Sequence, residues 1–169
     1  MSKKRSSTKR EPPEPVFFVD ADLSDAHFHE ILSAAGVRFE RHDDHFAPGT
    51  DDLDWLEKAG EHDWIVLSHN KSLRYVSAQT ERLFEYEVRA IMLMGKARAN
   101  PEGERSIFTR ELAENFVSTL PAIRRFLRRH PRPWIAKLYR PAAPLAPGRE
   151  RLSGDIRMWL TLQAWLKGR

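Results

Sequence analysis

WIVLSHNKSLRY occupies residues 64–75. Trp64-Ile65-Val66-Leu67 is a continuous apolar run, and it reads as a strand covered on both faces. It passes without a break into Ser68-His69-Asn70-Lys71, which carries a hydroxyl, an imidazole, an amide and an ammonium, and then into the basic-aromatic step Arg74-Tyr75. In open α/β sheets, ligands bind just outside the carboxyl ends of the strands. A buried strand emptying into such a loop therefore predicts a sheet whose rim faces a ligand.

The same shape recurs along the chain. VFFV at 16–19 runs into Asp20 and Asp22, VRFER at 37–41 alternates as a second strand, and VRAIMLM at 88–94 and WIAKLYR at 134–140 complete a set of five. Helical patterns lie between them. Ser24 or Asp25 can cap a helix carrying Phe28, Ile31, Leu32 and Ala35, with Gly36 at its end. HDDHFAPGT at 42–50 reads as a loop. Thr50 or Asp51 can cap a short helix running to Ala59, with Gly60 as its stop. SAQTERLFEYE reads as a helix, residues 96–105 as a polar loop, and Thr109 to Arg129 as helical, with Pro121 starting a new helix or kinking the first. PAAPLAPG is a linker. Leu152, Ile156, Trp159, Leu160, Leu162, Trp165 and Leu166 give residues 152–166 the spacing of an amphipathic helix. Strands alternating with helices predict an α/β layered fold with a mainly parallel central sheet, and right-handed crossovers put every carboxyl end on one rim.

The 169 residues suffice for one domain with a sizeable core. No apolar run is long enough for a membrane span, so no membrane partner is expected. The basic start MSKKRSSTKREPPEP lacks the apolar stretch of a signal peptide, and residues 1–15 are expected to be disordered. The chain has no cysteine, which removes disulfides, thiolate metal sites and cysteine nucleophiles and fits a cytoplasmic location. The net charge of +4 is unevenly spread: basic residues crowd the first ten positions and RRFLRRH at 124–130, and Asp43, Asp44, Asp51, Asp52, Asp54 and Glu57 crowd 43–57. An acidic pocket with basic margins suits a metal-dependent enzyme acting on a polyanion.

By the rim rule, Asp20 and Asp22, the Ser68–Lys71 loop, Asp43 and Asp44, and Asp51, Asp52 and Asp54 should converge. Clustered carboxylates are costly unless a cation lies between them, and oxygen donors without thiolates favour Mg²⁺ or Mn²⁺. Asp22, Asp51 and Asp52 also suit helix starts, where acids complement the dipole. Asp20, directly after VFFV, reads as functional. Ser68 can cap the next helix or donate to a ligand; Lys71 and Arg74 can hold phosphates or stay solvated. His42 and His45 flank Asp43-Asp44 and read as braces of that loop, because no further ligand with zinc spacing accompanies them. In AIRRFLRRH the apolar side should be core, and the arginines, Arg125 and Arg128 among them, can grip a nucleic-acid backbone or face solvent.

VFFVDADLS, RHDDHFAPGTDDLDWL, WIVLSHNKSLRY, VRAIMLM and WIAKLYRP together resemble the PIN-like nucleases, in particular the VapC-type toxins of bacterial toxin–antitoxin systems. The resemblance covers residues 16–141, with a basic tail at 1–15 before it and a linker and C-terminal helix at 142–169 after it. It implies a three-layer α/β/α fold and a Mg²⁺- or Mn²⁺-dependent endoribonuclease. Matched by position, the acids expected after the first strand, on the helix after the second and after the third fall on Asp20, Asp54 and Asn70; Asp22 is a neighbouring candidate ligand. Ser68, Lys71, Arg74, Arg125 and Arg128 are the candidate RNA contacts; the resemblance implies an antitoxin partner, and the apolar side of the C-terminal helix packs back on the domain or serves a homodimer or an antitoxin groove. Asn70 departs from the family: it keeps an acceptor oxygen and loses the charge. Its neighbours suffice, or the chain is a catalytically degenerate RNA-binding module, or the acid has been replaced. A dinucleotide-binding fold lacks support, since no Gly-rich loop follows the first strand.

Overall fold

The computed structural model describes residues 13–70, 72–95, 104–141 and 153–168. Five parallel strands form where the apolar runs predict them: β1 (Phe17–Val19), β2 (Phe39–Arg41), β3 (Ile65–Ser68), β4 (Arg89–Leu93) and β5 (Trp134–Tyr139). A sixth, β6 (Asp155–Thr161), runs antiparallel to β5 and completes a sheet in the order β2-β1-β3-β4-β5-β6. The strands β1, β3 and β4 are buried along nearly their whole length, as expected of a parallel sheet covered on both faces.

Alternation along the strands feeds two cores. Phe17, Val19, Ile65, Leu67, Ile91, Ala136 and Leu138 face α1 (Ala26–Ala34) and α6 (Glu104–Arg129), meeting Phe28, Leu32, Phe116 and Ile123. Phe18, Val66, Ala90, Met92 and Ile135 face the opposite way. There they meet Trp55 and Leu56 of α3 (Asp52–Glu61), Leu73 of α4 (Ser72–Tyr75), and Leu83 and Phe84 of α5 (Ser77–Glu85). The result is the three-layer α/β/α arrangement. Among the described residues, no helix is long and apolar enough to cross a membrane.

Local chemistry accounts for the helix ends. Asp25 accepts from Phe28 N at 2.8 Å and caps α1, and Asp51 accepts from Leu53 N at 2.9 Å and caps α3. Gly36, at φ +70°, follows α1 in the left-handed conformation that glycine adopts without strain. Gly60 does not stop α3. It lies inside the helix, where a Cβ would come within 2.3 Å of the Tyr86 carbonyl oxygen, so glycine there sets how closely α3 approaches the end of α5. α6 continues through Pro121 as one helix. Inside the expected 42–50 loop, His42–His45 form a helical turn, α2.

The largest departure is at the C-terminus. The apolar spacing of 152–166 predicts a helix, but residues 155–161 form β6, and helix returns only in the short α7 (Leu162–Lys167). Ile156 and Met158 pack on one core and Leu160 on the other. The pattern satisfies both periods, and the tie is broken non-locally: β6 pairs the backbone of β5, which would otherwise present an open edge.

Phe18 sits at the centre of the second core, fully buried, with its ring 5.4 Å from that of Trp55 and 5.5 Å from that of Trp64, stacked on both. Phe18→Ala should destabilise the domain by about 3–5 kcal/mol. Urea unfolding followed by tryptophan fluorescence should show the midpoint falling accordingly.

Candidate functional site

At the end of β1 the chain turns into a single 3₁₀ turn at Ala21–Leu23, with Asp20 at its N-cap. The Asp20 carboxyl is almost completely buried, at 5 % exposure. One oxygen accepts from Ala21 N at 2.7 Å; the other accepts from the Ser68 hydroxyl at 2.8 Å. Ser68, fully buried at the end of β3, in turn accepts from Asn70 N at 2.9 Å. Its oxygen therefore donates to one loop and accepts from the next, tying together the carboxyl ends of adjacent strands. Ser68 does not face solvent, and its hydroxyl proton goes to Asp20. It positions Asp20.

Asp22 follows on the 3₁₀ turn, and Asp52 approaches from the first residue of α3. Burial pushes the Asp20 carboxyl up from an ordinary 3.8 to about 7; the negative charge of Asp22 adds to this, the Ser68 and Ala21 hydrogen bonds oppose it, and Asp52 raises it further. Asp52 is held in place by Trp55 Nε1 at 2.9 Å and Gln79 Nε2 at 2.7 Å, one donor from α3 and one from α5.

The acid of α3 that acts on Asp20 is therefore Asp52, where position matching points to Asp54. Two residues along a helix are about 200° around its axis. Asp52 shares the face of Trp55 and Leu56, which is buried, whereas Asp54 is exposed. That phase is a signal present in the sequence: Asp52 lies three and four residues before the apolar pair, and Asp54 does not.

The other expected site residues scatter. Asp43 and Asp44 are exposed on α2. Asp44 is bidentate with Arg41, both bonds at 2.9 Å, and that hydrogen-bonded partner holds its carboxyl below the usual range. His45 Nε2 lies 2.9 Å from Glu40 and His42 Nδ1 3.5 Å from Asp43, which braces the β2–α2 corner. Lys71 lies outside the described residues. Arg74 packs over the rings of Tyr75 and Trp159. Arg125 and Arg128 belong to the opposite pole. α6 carries the chain from the carboxyl rim back to the start of β5, and Arg128 lines a groove with Val16, Asp63 and Arg89, all at the amino ends of the strands. Those arginines cannot grip a strand lying on Asp20.

A family model described as a PIN like domain matches residues 15–95. The match spans β1 through β4 and so contains Asp20, Asp22, Asp52, Ser68 and Asn70. It supports a PIN-like domain in this chain, with the α/β sheet expected of one. No curated protein and no solved structure matches the chain.

The raised Asp20 pKa has a consequence for stability. An acid that binds its proton more tightly folded than unfolded stabilises the fold below its unfolded pKa, and that contribution is lost as pH rises through the folded value. Thermal melts in the presence of a chelator should show stability declining between about pH 4 and pH 7 on this account. Asp20→Asn, which keeps an acceptor for Ser68, should remove that part of the decline.

Proposed function

We propose that this chain is a divalent-cation-dependent endoribonuclease of PIN type. The observation that carries the reading is the burial of Asp20 at the carboxyl rim of a parallel sheet, pinned by Ser68, with the charges of Asp22 and Asp52 bearing on it. Such a corner is stable with its carboxylates ionised when a cation offsets their repulsion.

The donors fit a hard ion. Among the described residues no three His, Asp or Glu side chains stand close enough to enclose a metal by themselves. Mg²⁺ commonly takes only one or two carboxylates and keeps several of its waters, so an open corner suits it better than a closed cage. Asp20 and Asp22 would hold the ion, with Asp52 adding charge and the Asn70 amide a neutral oxygen. When bound, the ion supplies an activated water and charge stabilisation at a phosphodiester. Ser68 keeps the Asp20 carboxylate at one fixed angle, and the Trp55 and Gln79 donors do the same for Asp52. The resemblance to VapC-type toxins extends the proposal to a toxin whose antitoxin covers the same rim.

A second reading, a PIN-like RNA-binding module with a degenerate pocket, is favoured by one residue: Asn70 stands where the resemblance expects an acid.

Calorimetric titration with Mn²⁺ and a cleavage assay on single-stranded RNA separate the two. The nuclease reading expects Mn²⁺ uptake and cleavage by the parent chain, both lost in Asp20→Asn and both increased in Asn70→Asp. Ser68→Ala, which removes only the anchor of the ligand, should weaken metal binding roughly 10–100-fold. No uptake and no cleavage by the parent would leave the binding module. The toxin role expects growth arrest on expression that Asp20→Asn relieves.

A further inference from the structure

The chain beyond residue 95 adds a surface to the same face of the sheet. The register places its residues in one row: Val19 pairs Leu67 just before Asp20 and Ser68, Ser68 pairs Met92, Met92 pairs Lys137, and Lys137 pairs Arg157. Alternation puts them on one side, because Phe18, Val66 and Ile135, each two residues earlier, all enter the second core. Three strand spacings separate Asp20 from Lys137, about 14 Å along the row.

Around Lys137 the rim is built of rings and cations. Where β6 shifts register between Ile135 and Ala136, Trp159 is the extra residue. The Lys137 ammonium lies 3.7 Å from the centre of its ring, and Tyr75 meets it edge-on at 5.5 Å. The Arg74 guanidinium is 5.7 Å from the Tyr75 ring and 5.8 Å from that of Trp159. One step outward, Arg157 lies 5.5 Å from the ring of Tyr139. Tyr75 is 67 % exposed. Charged residues blunt an edge strand against aggregation, which accounts for the cations but not for the aromatic rings standing among them. An exposed ring flanked by cations is what single-stranded nucleic acid needs: a face for stacking a base and a charge for the adjoining phosphate.

We propose that Tyr75, Trp159 and Tyr139, with Arg74, Lys137 and Arg157, form a stacking platform for single-stranded nucleic acid on the β5–β6 edge. The exposed Tyr75 ring takes a base and Lys137 a phosphate, and the strand then runs along the row toward Asp20. Asp155 accepts from Arg157 Nε at 2.6 Å and screens that cation, so Lys137 and Arg74 carry most of the charge. The platform rests on the nuclease reading in taking the bound strand to be substrate. Its binding chemistry is its own. Lys137 and Trp159 lie outside the span that matches the PIN-like family.

The test is fluorescence anisotropy of a labelled oligouridylate in a chelator, which prevents cleavage, repeated over a range of salt. The parent chain should bind it and bind a duplex of the same length more weakly. Tyr75→Ala should weaken binding about tenfold and Tyr75→Phe should restore it. Lys137→Met should lower the salt slope by about 0.7, one phosphate contact on a single strand. Should Tyr75→Ala fail to fold, Lys137→Met carries the test alone. No binding by the parent, equal preference for duplex, or variants that bind as the parent does would each overturn the platform. Metal-dependent cleavage with unchanged binding by the variants would sink the platform and leave the nuclease reading. Tyr75-dependent binding without cleavage in any metal would do the reverse.

Discussion

The Ser68 hydroxyl hydrogen bond to Asp20 joins the ends of two neighbouring parallel strands in a nearly buried place. A buried carboxyl needs partners, and among the described residues one partner of Asp20 comes from its own turn while another crosses from β3. This is why the first and third strands must stop level with one another. The stop fixes the 3₁₀ turn that carries Asp22 and the loop that carries Asn70, and the charge of Asp52, at the start of α3, bears on the same corner. Remove the hydroxyl and the carboxyl loses its orientation as well as part of what stabilises its charged form.

Charge is sorted by the direction of the chain's path. Strands that run one way and helices that return the other place strand ends and helix starts on one rim and helix ends on the opposite one. Acids suit helix starts and cations suit helix ends. Asp51 and Asp52 at the beginning of α3 and Arg128 and Arg129 at the end of α6 follow that rule. The same rule separates the arginine-rich segment from the carboxylate corner by the length of the sheet. The cations on the face of the sheet that Asp20 shares are others, those seated on the rings of the β5–β6 edge.

That edge shows how a short addition can change what a sheet presents. β5 alone would end the parallel sheet with unpaired backbone, and β6 covers it in antiparallel register. The bulge turns Trp159 toward the face that Lys137 and Asp20 share. α7 then packs Trp165 on Phe84, with ring centres 4.9 Å apart, and closes the second core from outside.

Local patterns carried much of this molecule. Four apolar runs and the alternating VRFER became the five parallel strands, Asp25 and Asp51 became caps, and Asp20 stood at the end of a buried strand, all within reach of period and turn chemistry read along the chain. The folded chain was needed for three things. The charge of Asp52 bears on Asp20 while Asp54 is exposed, because helix phase relative to the core, not spacing to a motif, selects the inward carboxylate. Ser68 serves a residue 48 positions away. Residues 155–161 become strand because the hydrogen bonds that choose strand over helix come from β5, and a periodicity within one segment contains no record of the backbone that will lie beside it.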